Sequence, residues 1–183
     1  MDFIADIAQN ALEAGSAQVG LCIDESDSCI EVEVTDDGRG MDEGEAARAL
    51  DPFYTDGRKH PGRRVGLGLP FLKQAIDLSG GDFSLRSEKG RGTQVRFRFD
   101  KGNLDCPPVG DIPAALFSIL CLPGDGELTI RRTRKAEVSA KAAARAGLSY
   151  ELRKSELAEA LGSLEDASAL ALLKQYVLSQ EEG

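Results

Sequence analysis

The chain has 183 residues, of which 42% are hydrophobic and 29% are charged, and its formal net charge is −9. This composition is typical of a folded protein of one or two small domains and excludes a disordered chain. The acidic balance, with a sequence pI near 4.7, argues against a nucleic-acid-binding surface. No apolar run reaches the roughly 18–20 residues of a membrane span, and the acidic start lacks the basic residues of a secretion signal. We therefore expect a cytoplasmic protein with neither a membrane nor a nucleic acid as its partner.

The first hundred residues alternate between helix and strand patterns. Apolar residues at 3.6-residue spacing predict a helix over 2–14, and strict alternation predicts a hairpin with strands at 19–23 and 30–34. A short helix over 42–50 follows, and another helix is expected from about Pro70 to the glycines at 80 and 81. Two further strands are predicted at 83–87 and 93–99. Antiparallel strands covered by helices on one face predict an α+β protein, a two-layer α/β sandwich.

Composition divides the chain into two parts. Residues 102–111 are rich in Gly, Pro and polar side chains and are interpreted as a linker after a first domain over 1–101. Residues 112–183 form a smaller C-terminal α/β extension, with a helix over 112–122, a strand near 128–132 and two further helical stretches. Leu170, Leu173 and Val177 are expected on the buried face of the last stretch.

The four cysteines contain no CxxC pair and the sequence has one histidine, which argues against a Cys/His zinc site. Cys22 and Cys29 flank the predicted hairpin turn and could be cross-strand neighbours.

The first candidate site is a polar stripe on the first helix, where Asp6, Asn10 and Glu13 share one face. The stripe is either a solvated helix face or a metal site. In the second case, Asn10 binds a metal ion through its amide oxygen, and Asp6 orients or deprotonates a water molecule.

The second candidate site, residues 36–41 (DDGRGM), follows a predicted strand. Two glycines spaced by one residue let the backbone turn sharply and approach a flat ligand, and the Asp36 carboxylate could accept a hydrogen bond from an exocyclic amine. The alternative is an ordinary Asp-Gly turn.

Two more glycine pairs precede regular elements. Gly66 and Gly68 stand at the start of a helix, where backbone N–H groups and the helix dipole favour phosphate. The loop before them, 54–65, is basic in an otherwise acidic chain, which favours a polyphosphate. The segment 90–93 (GRGT) enters the last strand of the first domain. Each pair could also be only a turn.

In order, the segments ADIAQNALEAG, DDGRGM, DPFYT, RRVGLGLPFLKQAIDLSGG and GRGTQVRF resemble the motifs of the GHKL ATPases. This superfamily, which has the Bergerat fold, groups gyrase B subunits, ninety-kilodalton heat-shock chaperones, histidine-kinase catalytic domains and MutL proteins. The resemblance covers Met1–Asp100, and its first segment looks nearer to MutL-like and anti-sigma-like sequences than to sensor kinases. The tail is loosely similar to small stand-alone ATP-binding proteins of clostridial type.

The resemblance implies ATP and Mg²⁺ as cofactors. It makes Asn10 the Mg²⁺ ligand and places Asp6 at the general-base position. It also implies that Asp36 contacts the amino group of adenine. Residues 54–65 would form a lid over the nucleotide. The remaining nucleotide-binding residues that it implies are Gly38, Gly40, Met41, Phe53, Arg64, Gly66, Leu67, Gly68, Leu69 and Thr93.

The expected function is a slow ATPase or a nucleotide-driven switch that acts on a partner protein through the C-terminal extension. Asp6 is one methylene shorter than the glutamate of gyrase-like members, and a base displaced by about 1 Å can lose on the order of a hundredfold in rate. The alternatives are a protein kinase acting in trans on serine, threonine or histidine, and an ATP/ADP sensor without turnover. A binding module without nucleotide is the opposing hypothesis. Because the sequence starts almost at the first motif, we do not expect a self-contained histidine kinase; pairing into a homodimer stays open.

Overall fold

The computed structural model describes residues 2–53, 68–136 and 146–182. In these ranges the helices are α1 (Asp2–Glu13), α2 (Glu43–Ala49), α3 (Gly68–Ser79), α4 (Ile112–Leu120), α5 (Lys154–Leu161) and α6 (Ala167–Glu181). The strands are β1 (Gln18–Glu25), β2 (Cys29–Asp36), β3 (Asp82–Glu88), β4 (Gly92–Asp100), β5 (Glu127–Arg134) and β6 (Leu148–Arg153).

The strands form one six-stranded sheet in the order β3-β4-β2-β1-β5-β6. β1 and β5 are parallel, and the other neighbouring pairs are antiparallel. Alternate residues of the strands point into one apolar core, which they share with α1, α3, α4 and α6. The other face of the sheet carries polar and charged side chains, as antiparallel sheets with one solvated face commonly do. The predicted two-layer α+β sandwich is confirmed.

The C-terminal extension continues the same sheet and core. β5 lies beside β1 along its whole length, and Leu128 and Ile130 of β5 are fully buried. α6 packs Leu173 and Val177 into the core, as its spacing predicted, but the third buried residue of this face is Ala169 and not the predicted Leu170. No helix of the described ranges is long and apolar enough to cross a membrane.

Three local differences separate the structure from the sequence expectations. β6 was not predicted, because its six residues give only three alternations beside an alanine-rich segment, and its pairing with β5 is a tertiary contact. α3 begins at Gly68, two residues before Pro70. Cys22 and Cys29 are not cross-strand neighbours, because the hairpin register sets Cys22 opposite Glu33.

At one end of the sheet, a buried ionic cluster joins β1 to the extension. The fully buried Arg132 on β5 bonds to Glu25 at the end of β1, and its Nε donates to Glu181 Oε1 of α6 at 2.9 Å. Lys101 Nζ lies 2.7 Å from Glu25 Oε1, and the Tyr150 hydroxyl donates to Glu181 at 2.6 Å. Burial works to raise the pKa of Glu25, but the bonds from Lys101 and Arg132 outweigh it and hold the pKa below its ordinary value. The candidate site lies at the opposite end of these strands.

Candidate functional site

The site is built on a row of four residues that runs across the sheet. Strand pairing sets Ser87 opposite Thr93, Thr93 opposite Asp36, and Asp36 opposite Val19. Residues directly opposite each other in a sheet share a face, and Val19 is a core residue, so all four lie on the helix-covered side. Asp36 is the last residue of β2 and Thr93 is the second residue of the antiparallel β4, so the two polar side chains lie side by side at the open end of the core.

The Asp36 carboxylate is half-buried and held in place by donors. Its Oδ1 accepts from the Gly38 N–H at 2.9 Å, and the Ser16 hydroxyl, which shares its one proton with the Ala11 carbonyl oxygen at 2.7 Å, lies 3.3 Å away. Burial raises the pKa of Asp36 above its ordinary value, although hydrogen bonds from Gly38, Ser16 and the Thr93 N–H oppose the rise. A carboxylate offers about four lone-pair positions, so these contacts leave capacity for a ligand donor.

The turn after Asp36 packs tightly between α1 and the β3–β4 hairpin. A Cβ at Gly38 would lie 2.6 Å from Ser16 Oγ and 2.8 Å from the Ala14 Cβ at the end of α1. Gly40 has φ +59°, and a Cβ there would lie 2.0 Å from the Glu88 carbonyl oxygen. A side chain fits neither position, so both glycines are required for this approach.

The β3–β4 hairpin closes on the same turn. Gly92 has φ +96°, and a Cβ there would lie 1.9 Å from the Asp36 carbonyl oxygen. The Gly90 N–H donates to the Arg39 carbonyl at 2.7 Å. The DDGRGM and GRGT segments, separate motifs in the sequence, are therefore in direct contact.

Ser87 links Met41 to Thr93, and the sequence analysis missed it. The Met41 N–H donates to Ser87 Oγ at 2.8 Å, and Ser87 Oγ lies 2.9 Å from Thr93 Oγ1 and 3.0 Å from the Gly92 carbonyl oxygen. A signal was present, because Ser87 continues the inward-facing positions Phe83 and Leu85 of β3 with a polar residue. Ser16 was missed too, and no local pattern marks it.

The N-terminus of α3 lies against α1. A Cβ at Gly68 would lie 2.9 Å from Asp6 Cβ and 3.0 Å from Asp6 Oδ2. Asp6 is half-buried, whereas Asn10, one turn later on α1, is exposed. Ala14, one turn after Asn10, touches Gly38, so α1 spans from the start of α3 to the glycine turn.

The other predicted site residues divide into described and undescribed ones. Phe53 is 93% exposed, and Leu69 packs against the core from the first turn of α3. Arg64, Gly66, Leu67 and the predicted lid over 54–65 lie outside the described residues.

A surface cavity of about 340 Å³ lies elsewhere, on the open face of the sheet. Its charged side chains already pair with each other: Arg96 bonds to Glu31, and Arg98 lies 3.6 Å from Asp82. It contains none of the predicted site residues.

Comparison with known proteins identifies the family of the first part of the chain. Residues 2–103 match the model of the histidine kinase-, DNA gyrase B- and HSP90-like ATPases. The alginate biosynthesis sensor protein KinB of Pseudomonas aeruginosa is 33% identical over 50% of this chain, and the sensor histidine kinase WalK of Bacillus subtilis is 28% identical over 50%. The matches cover only 15% and 16% of these relatives' own lengths.

Solved structures of histidine kinase catalytic domains match part of the chain. The catalytic domain of histidine kinase ThkA matches with a TM-score of 0.43 at 20% identity, covering 55% of this chain and 65% of that one. The family model spans more than half of the 183 residues and contains the Asp36 row, the glycine turn and the start of α3. The chain belongs to the family of histidine kinase-, DNA gyrase B- and HSP90-like ATPases.

Proposed function

We propose that this chain binds a Mg²⁺–adenine nucleotide between α1, the start of α3 and the Asp36 end of the sheet. The observation that carries the proposal is the strand pairing that sets Asp36 beside Thr93 at the open end of the core. The glycine turn at 38–40 packs directly after Asp36. Family membership supports nucleotide binding, and the geometry supports the orientation of the base.

The adenine ring would bind beside Asp36. A carboxylate accepts hydrogen bonds and does not donate them when ionised, so Asp36 suits the exocyclic amine of adenine. Gly38 and Gly40 let the turn pack against the end of α1 and the β3–β4 hairpin, and this packing holds the Asp36 carboxylate where the ring would bind.

The phosphates would lie at the N-terminus of α3. This helix has 12 residues, and the N–H groups of its first turn, which have no acceptor within the helix, attract anions together with the helix dipole. Gly68 carries no side chain that would stand between these groups and Asp6 on α1.

The side chains on α1 fit a Mg²⁺ ion that is shared with phosphates. Mg²⁺ prefers oxygen ligands and is usually held by one or two protein oxygens plus phosphate and water. The exposed Asn10 amide oxygen would be the protein ligand, and the half-buried Asp6 carboxylate lies one turn away. When bound, the ion would neutralise phosphate charge. This chain's own contribution would be to orient the phosphates with α3 and to hold an accepting carboxylate, Asp6, beside them.

We propose slow ATP hydrolysis with Asp6 as the general base, coupled to action on a partner protein. Asp6 lies against the helix N-terminus that would hold the phosphates, which suits a base that orients an attacking water. The second candidate is phosphotransfer, in which this chain phosphorylates another protein in trans, and the similarity to the sensor histidine kinase WalK favours it.

A labelled-phosphate assay on the full chain separates these activities. We expect slow release of free phosphate from γ-labelled ATP without a partner, and Asp6→Ala should abolish it while ADP affinity is retained. Label that appears only on an added kinase acceptor protein would support phosphotransfer instead. Retained release by Asp6→Ala would exclude Asp6 as the base.

A further inference from the structure

The Ser87 hydroxyl has three neighbours but only one proton. The Met41 N–H donates to Ser87 Oγ at 2.8 Å, which uses one of its lone pairs. Because the Gly92 carbonyl oxygen, 3.0 Å away, can only accept, we assign the Ser87 proton to it. The third neighbour, Thr93 Oγ1 at 2.9 Å, must then donate its own proton to Ser87 Oγ for that contact to be a hydrogen bond.

In this assignment the Thr93 hydroxyl donates to Ser87 and is an acceptor for any other group. With its only hydroxyl proton directed at Ser87, Thr93 Oγ1 presents lone pairs alone to the open end of the core. Asp36, its direct neighbour across the sheet, also presents acceptors. Within this row of described residues, two adjacent acceptors, Asp36 and Thr93, then face the space where the adenine ring would lie.

We propose that Ser87 is a specificity-determining positioning residue, which holds the Thr93 hydroxyl as an acceptor and so favours 6-aminopurine over 6-oxopurine nucleotides. The inference rests on the proposed nucleotide site and adds to it the reason for base selectivity. A 6-amino group carries two N–H donors, which suits two acceptors. A 6-oxo group is an acceptor and would face lone pairs without a proton between them, an arrangement that binding sites reject strongly.

Without the Ser87 hydroxyl, the Thr93 proton is free to rotate. Thr93 could then donate to a 6-oxo group as readily as it accepts from a 6-amino group. Ser87→Ala therefore changes the ratio of the affinities for 6-aminopurine and 6-oxopurine nucleotides. Loss of packing alone would lower both of these affinities by the same factor.

The test is calorimetric titration of ADP and inosine diphosphate, both with Mg²⁺, into the full chain and its variants. The unsubstituted chain should bind ADP at least about tenfold more tightly than inosine diphosphate. In Ser87→Ala the ratio should fall by about fivefold, the size of one neutral hydrogen bond. Ser87→Thr keeps a hydroxyl and should retain the ratio, and Ser84→Ala, on the same strand but the open face of the sheet, should leave both affinities unchanged.

Thr93→Val keeps the inference testable if Ser87→Ala folds poorly. It removes the hydroxyl that Ser87 orients, so its ratio should also fall, and adding Ser87→Ala to it should lower the ratio no further. An unchanged ratio in Ser87→Ala, or additive effects in the double variant, would overturn the inference. Equal binding of the two nucleotides by the unsubstituted chain would overturn it while leaving the nucleotide site intact. Binding of neither nucleotide would instead overturn the proposed function itself.

Discussion

Gly68 lies directly against Asp6: a Cβ on the glycine would be 2.9 Å from the Asp6 Cβ and 3.0 Å from its Oδ2. The two residues belong to helices α1 and α3 and were singled out by separate motifs 62 positions apart. Their contact sets a carboxylate beside a helix N-terminus, the arrangement that a phosphate with an attacking water would need. The contact also makes the glycine a sensitive point for substitution.

Gly68→Ala should reduce turnover more than stability. Alanine favours the helix intrinsically by up to about 1 kcal/mol, but its Cβ would push Asp6 out of position, and a misplacement of about 1 Å can lower a rate on the order of a hundredfold. We expect phosphate release to fall at least tenfold, with a melting temperature close to that of the unsubstituted chain. Gly44→Ala in the first turn of α2 is the matched control, since the nearest atom to its Cβ is the flexible end of Arg48 at 3.2 Å. Unchanged release in Gly68→Ala would contradict the role given to this contact.

Asn10→Ala should remove the gain in nucleotide affinity that Mg²⁺ provides. Asn10 is exposed, so the substitution should leave the free energy of unfolding within about 0.5 kcal/mol. ADP affinity measured with Mg²⁺ and with EDTA gives the gain directly. Gln9→Ala, which removes the neighbouring exposed amide of the same helix, should keep the full gain. If Asn10→Ala responds to Mg²⁺ as the unsubstituted chain does, Asn10 is not the ligand.

Asp36→Asn should weaken nucleotide binding without weakening the fold. The amide oxygen can still accept from Gly38 and Ser16, but the new N–H₂ group competes with the exocyclic amine of the base, so ADP affinity should fall at least about tenfold.

Because burial raises the Asp36 pKa above its ordinary value of 3.8, ionisation of this carboxyl disfavours the folded state. As pH rises from about that value, the unfolded chain loses its proton first and the unsubstituted protein loses stability relative to Asp36→Asn. Urea unfolding of both proteins at pH 4 and pH 7 measures this trend. If the unsubstituted protein instead gains stability relative to Asp36→Asn between pH 4 and pH 7, the burial of an ionised Asp36 is contradicted.

Arg132→Met should strongly destabilise the chain. Arg132 is fully buried between Glu25 and Glu181, and removing one partner from a buried ionic cluster costs about 3–5 kcal/mol. Arg131→Met, one residue earlier on the open face, removes an exposed pair with Glu151 and should change stability little. Because the cluster lies at the other end of the strands, the folded fraction of Arg132→Met should bind ADP normally. Equal melting temperatures of the two variants would show that the cluster does not hold the extension to β1.

Local patterns in the sequence predicted the elements that have strong periodicity. The α1 stripe, the β1–β2 alternation and the glycine turn at 38–40 were all readable, since each depends on neighbouring residues alone. The parallel pairing of β1 with β5 was not readable, because it joins segments more than a hundred residues apart. Buried Arg132 was missed for the same reason: its partners, Glu25 and Glu181, come from opposite ends of the chain.

In the candidate site too, the residues of one local motif could be predicted, and the contacts between elements could not. Asp36, Gly38 and Gly40 could be selected from one motif, but the contact of Gly92 with the Asp36 carbonyl depends on strand register. Ser87 and Ser16 act by hydrogen bonds across elements, and a single serine has no spacing that reveals such a bond.

The most direct test of the nucleotide site is calorimetric titration of ADP into the full chain, with and without Mg²⁺, beside Asp36→Asn. The account predicts micromolar binding that strengthens with Mg²⁺ and falls at least about tenfold in Asp36→Asn. Binding that is equally tight in the two proteins would contradict the assignment of Asp36 to the base, and no binding by the folded, unsubstituted chain would contradict the nucleotide site as a whole.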